Sequence, residues 1–83
     1  MTLLDILVLE DLQDTMLEIE YRAILKEKNK ITNCYVGSAV YDGIDLVSSE
    51  NEEHKLTDVV QRYEYIKEKS LLVVYNNLGK KTV

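Results

Sequence analysis

From Thr15 the side chains of this chain alternate: Leu17, Ile19, Tyr21, Ala23 and Leu25 are separated by Glu18, Glu20, Arg22 and, further on, Lys26. A period of two sends the first set to one face of a strand and the charged set to the other, the pattern of a half-buried antiparallel strand. One dry face and one wet face commit the chain to a sheet that something must cover on one side only. With 83 residues there is room for one small domain, expected over residues 1–79 with 80–83 as a frayed tail. A domain of that size buries only about 60–65% of its unfolded surface, so its core is thin.

The flanking segments complete the sheet. Leu3, Leu4, Leu7 and Val8 recur at the spacing of one helical face, with Thr2 as N-cap and Asp5 three residues on. Glu10 to Asp14 form a polar loop. After a turn at Lys28-Asn29-Lys30, a second strand is expected over 31–41, rich in Ile, Thr, Tyr and Val. Simple alternation places Tyr35 and Tyr41 on one face of it, and Gly37 suggests a bulge. Asp42-Gly43 is a hairpin signal, with a short third strand over 44–47. Leu56, Val59, Val60, Tyr63 and Ile66 follow helical spacing and predict a second helix ending near Ser70. Leu71 to Tyr75 is a continuous apolar run and reads as a buried strand. The expected fold is α+β in the order α-β-β-β-α-β, a mostly antiparallel sheet with helices on one face.

Several chemistries are excluded by residue type. A single cysteine, Cys34, forms no intramolecular disulfide and no cysteine-based zinc site, and His54 is the only histidine. No phosphate-binding glycine loop occurs, and Asp42-Gly43-Ile44-Asp45 lacks the ligand series of a calcium loop. Cys34 has no base nearby in sequence, and paired carboxylates need a deep dry cleft that so small a core seldom offers. The expectation is a non-enzyme without metal or cofactor. The apolar residues 2–9 lack the basic flank of a signal peptide, and no run approaches the roughly 18–20 residues of a membrane span. A cytoplasmic setting without membrane contact is expected.

Charge carries the remaining information. Residues 1–20 hold Asp5, Glu10, Asp11, Asp14, Glu18 and Glu20 and no base. Residues 42–58 hold Asp42, Asp45, Glu50, Glu52, Glu53 and Asp58 against Lys55. The two blocks between and after them are each +3, and the whole chain is −5. Glu10, Asp11, Asp14, Glu18, Glu20, Asp42, Asp45, Glu50, Glu52 and Glu53 are therefore candidate partner-binding residues. They fit either a solvated surface that keeps a small domain soluble or a set of anions offered to a basic groove. On one strand face Glu18 and Glu20 would stand about 6.7 Å apart. Direct nucleic-acid binding is disfavoured, because a pI near 4.8 is opposite to a phosphate footprint.

The opening Met1-Thr2-Leu3-Leu4-Asp5-Ile6-Leu7, then Asp14-Thr15 leading into an alternating strand, resembles the small acidic proteins of Gram-positive phages and mobile elements. The closing Leu56-Thr57-Asp58-Val59-Val60 through Leu71-Leu72-Val73-Val74 is similar to theirs as well. That group includes anti-CRISPR-like inhibitors, some of them DNA mimics. The resemblance implies an inhibitor that acts in the host cytoplasm on a protein with a basic nucleic-acid-binding groove. It carries no catalytic motif and transfers no residue role. The alternative is a structural, self-assembling phage accessory protein that pairs through its sheet, for instance as a homodimer.

Overall fold

Helix α1 (Leu3–Leu9) begins where the sequence places it. Thr2 accepts from the Asp5 amide at 3.1 Å, and Asp5 answers the Thr2 amide at 2.9 Å, a reciprocal capping box. The computed structural model describes residues 1–49 and 54–76. In it α1 is followed by β1 (Leu17–Glu27), β2 (Lys30–Tyr41), β3 (Leu46–Ser49), β4 (Arg62–Ile66), a 3₁₀ turn (Lys67–Lys69) and β5 (Leu71–Asn76). The strands form one sheet in the order β3-β2-β1-β5-β4. Three neighbouring pairs are antiparallel, and β1 with β5 is parallel. The expected tail over 80–83 lies outside the described residues.

The alternation of β1 works as the sequence dictates. Leu17, Ile19, Tyr21 and Ala23 are buried, while Glu18 faces water and Glu20 and Arg22 are half-buried on the opposite face. Register extends the dry face sideways: Leu17 stands opposite Tyr41, Ile19 opposite Ala39 and Leu72, and Tyr21 opposite Val74. Leu3, Ile6 and Leu7 of α1 close this face. The buried stripe of the helix is thus Leu3-Ile6-Leu7, whereas Leu4 and Val8, expected beside Leu3 and Leu7, are 42% and 54% exposed.

The second helix expected over residues 56–69 does not form, so the element order is α-β-β-β-β-β and one helix covers the sheet. Residues 54–61 instead form an irregular strap, with a turn in which the Asp58 amide donates to the Lys55 carbonyl at 3.0 Å, and it packs on the dry face through His54 and Val60. Its Asp58 and Leu56 carbonyls accept the Leu3 and Leu4 amides at 3.0 and 2.9 Å, and the Val60 amide donates to Met1 at 2.7 Å. The strap therefore satisfies the first amides of α1, which no helix can satisfy internally. Beyond it Arg62–Ile66 pairs with the outer edge of β5, with Tyr63 opposite Val74 and Tyr65 opposite Leu72 on the dry face. Tyr and Ile prefer this pleated, half-buried setting; of the helically spaced set only Tyr63 and Ile66 lie in the strand, and three residues apart they fall on opposite faces of it. Val60 is buried at 2% exposure as expected, but as part of the strap.

Two hairpins differ in detail from expectation. The Lys28-Asn29 turn is in place, with Glu27 opposite Lys30. Asp42 to Asp45 form a four-residue loop, and β3 starts at Leu46 opposite Tyr41. Asp42 Oδ1 accepts the amides of Ile44 and Asp45 at 2.8 and 2.9 Å, which shapes that loop in place of a two-residue turn. A bulge sits next to Gly37: Tyr21 faces Gly37, but Arg22 faces Tyr35, which leaves Val36 extra. This half-step puts Tyr35 on the open face and Tyr41 in the core, on opposite sides of the sheet.

Removing the cap or the strap anchor tests this architecture. Thr2→Ala should cost about 1 kcal/mol by orphaning the Asp5 amide. Val60→Ala should cost about 2–3 kcal/mol through lost burial and a cavity beneath the strap. Denaturant unfolding of each variant against the parent chain measures both, and a Val60→Ala loss below about 1 kcal/mol would show the strap to be superficial.

A candidate acidic interface at one end of the sheet

One loop from each acidic block, 10–16 and 42–45, meets the other at one end of the strands. β1 begins there after the loop 10–16, and β2 ends there in the loop 42–45. The Tyr41 hydroxyl donates to the Gln13 carbonyl and ties the two loops together. Gly43 adopts φ +98° and presses on Asp14, where an added Cβ would lie 3.3 Å from the carbonyl. Glycine is required here both for the positive φ and for the close approach. Burial, then the nearby carboxylates Asp14, Asp42 and Asp45, push the Tyr41 phenol above its ordinary pKa.

Glu10 and Asp11 join this end from the close of α1. The Asp11 amide donates to Val8 at 3.1 Å and the Leu12 amide to Leu7 at 2.7 Å, a Schellman ending. Asp11 occupies the left-handed position at φ 59°, where glycine is the usual residue. Two carboxylates thus stand at the negative end of the helix dipole, where cations are favoured. Glu10 accepts from the Tyr63 hydroxyl at 2.5 Å, and that bond raises the Tyr63 pKa. Glu10, Asp11, Asp14, Asp42 and Asp45 are all exposed, and none is in an ion pair among the described residues.

The other candidates are placed differently. Glu18 and Glu20 lie on the open sheet face. Glu20 is bound to Arg22 at 2.6 Å, and Arg22 also donates to Asn33 at 2.6 Å. The row of two carboxylates is therefore half neutralised. Glu50, Glu52 and Glu53 lie outside the described residues.

A shallow groove of about 550 Å³ runs past Glu10, Asp11, Leu12, Thr15, Tyr65 and Lys67. Its lining supplies carboxylates and a lysine without a paired nucleophile and base. Among the described residues no three His, Cys, Asp or Glu side chains come together as a metal-ligand set. No helix among them is long and apolar enough to cross a membrane. His54 stacks flat on Tyr21 with ring centroids 3.7 Å apart, on the dry side of the sheet, and Cys34 is exposed. The contacts of Tyr63 with Glu10 and of His54 with Tyr21 have no signature in the sequence, because each joins segments more than thirty residues apart.

The loop carboxylate Asp42 gives a pH signature. Backbone amides of Asp45 and Ile44 hold its pKa below the ordinary 3.8, so folding favours its charged form. Its contribution is complete above that ordinary value and is lost as pH falls through the lowered folded pKa. Asp42→Asn keeps an acceptor in the loop but removes the proton. Its stability should fall less steeply below pH ~4 than that of the parent chain in acid-series thermal melts.

No family model, curated protein or solved structure matches this chain.

Proposed function

We propose that this protein is a non-enzymatic binding module that inhibits a nucleic-acid-handling protein by seating its acidic end in that partner's basic groove. One observation carries the reading. Loops far apart in sequence are locked together at one end of the sheet, and none of Glu10, Asp11, Asp14, Asp42 and Asp45 there is in an ion pair among the described residues. Asp11 adds weight, since it holds a strained conformation at the wrong pole of a helix, where glycine would be more stable. A residue that costs stability where it stands supports a role outside the fold. Fixed anions suit a surface evolved to meet phosphate-binding cations and would steer association over long range. The resemblance to acidic phage proteins supplies the setting of this proposal, an anti-CRISPR-like inhibitor in the host cytoplasm.

The test is capture of host proteins from a low-salt lysate, followed by kinetics on the captured partner. Association should slow at least tenfold as salt shortens the Debye length from about 10 Å to a few ångströms. The combined variant Asp11→Gly, Asp14→Asn, Asp45→Asn should weaken binding at least tenfold, about 1.4 kcal/mol. Glu18→Lys, on the open face, should leave binding within about twofold, a difference of roughly 0.4 kcal/mol. Salt-indifferent association, or undiminished capture by the combined variant, would remove the acidic end from the interface. Asp11→Gly alone should also raise stability by about 0.5–1 kcal/mol, read by urea denaturation.

A further inference from the structure

The bulge at Val36 builds a row across the open face of the sheet. It sets Tyr35 opposite Arg22, Arg22 stands beside Tyr75, and Tyr75 faces Arg62. Four neighbouring strands, β4, β5, β1 and β2, thus contribute Arg62, Tyr75, Arg22 and Tyr35 to one line, in which cation and aromatic alternate. All share the open face, because the flanking Val74 and Tyr21 point into the core. The Arg62 guanidinium lies over the Tyr75 ring, 4.6 Å from its centroid. Arg22 is held by Glu20 and Asn33 at 2.6 Å each. Arg62 is exposed, and Tyr35 is 50% exposed. The row presents a planar group at each end, with a fixed cation between them.

A net charge of −5 opposes an anionic ligand, but the fold separates the charges along this face. Glu18, Glu20 and Glu64 all lie on the side of the row toward the acidic loops, and Glu20 is bonded to Arg22. On the hairpin side the strands β1 and β2 place Ile24, Lys26, Asn33 and Ile31 on this face, and Lys28 and Lys30 follow at the turn. We propose that this basic, aromatic half of the open face binds a single strand of nucleic acid. One base stacks on the Arg62–Tyr75 pair and a second on Tyr35, with phosphates drawn to Arg22 and Lys26. Aromatic rings and guanidinium planes are the platforms on which unpaired bases stack. Tyr75 and Tyr35 stand two strands apart, about 9.6 Å. That is almost three times the roughly 3.4 Å rise of stacked nucleotides, so the two bases are splayed, as only a single strand allows. The surface is separate from the acidic end and does not depend on that reading.

Fluorescence anisotropy of labelled octathymidylate and octauridylate, titrated with the full chain, tests this. Both should bind, and a blunt duplex of the same length should bind at least tenfold more weakly. The logarithm of the association constant should fall against that of salt with a slope of about −1.4 to −2.1, as two or three phosphates require. Tyr35→Thr and Arg62→Gln should each weaken binding at least fivefold, the lower end of what one lost stacked base is worth, with a cooperative thermal melt retained. Arg62→Lys keeps the charge without the plane and should lose nearly as much. Tyr35→Phe keeps the ring and should bind within about twofold of the parent chain. The combined variant of the acidic end should bind these oligonucleotides at least as tightly as the parent, which separates the two surfaces. Absence of binding by both oligonucleotides at roughly 10⁻⁴ M protein and low salt overturns the proposal. So does equal binding of the duplex, binding undiminished in both Tyr35→Thr and Arg62→Gln, or a face whose variants lose only the capture of a protein.

Discussion

The exchange of backbone hydrogen bonds between residues 1–4 and the strap at 56–60 is the joint on which the rest of the structure depends. A seven-residue helix is too short to persist alone in water. It persists here because its first amides find carbonyls in a segment more than fifty residues away, and because its Leu3-Ile6-Leu7 stripe closes the dry face of the sheet. The strap in turn has no internal ladder and is held by those same bonds, by Val60 in the core and by the stacked His54–Tyr21 pair. Neither piece covers the sheet without the other. The dry face would otherwise expose Leu17, Ile19, Leu72 and Val74, a large share of a thin core.

What could be read from the sequence follows from where each segment finds its partners. β1 was legible because its two faces meet opposite environments, so Leu17, Ile19 and Tyr21 against Glu18 and Glu20 admit one reading. The capping box at Thr2 and Asp5 was legible because it is local. Residues 56–66 were misread because Leu56, Val59, Val60, Tyr63 and Ile66 satisfy a helical spacing, while the bonds that decide their conformation come from Met1, Leu3, Leu4 and β5. The face of Tyr41 turned on one extra residue at Val36, which Gly37 hinted at without fixing the register.

The candidate site was legible as composition and illegible as geometry. The acidic blocks over 1–20 and 42–58 are plain in the sequence. That Asp14 of one meets Asp42 and Asp45 of the other depends on the Tyr41 bond to Gln13 and on the fit of Gly43 against Asp14. Glu18 and Glu20 show the converse: adjacent on one strand face as expected, they differ in pairing because Arg22, two residues on, folds back to Glu20. Counting charges locates a patch, and cross-chain contacts decide which of them a partner can meet.

The parallel pairing of β1 with β5 has a consequence for how the chain reaches its native state. Glu18 stands beside Leu71, so the central strand gains its second neighbour only when the last described strand arrives. The β1–β2 hairpin can close early, since its turn spans two residues. Closing the long loop to β5 must wait on an entropy cost that only the assembled strap and helix offset. Until then β1 shows a bare edge, so the chain is most open to mispairing during synthesis. The growing polypeptide has a long interval in which its β1–β2 hairpin lacks this parallel neighbour, and arrival of β5 seals that side.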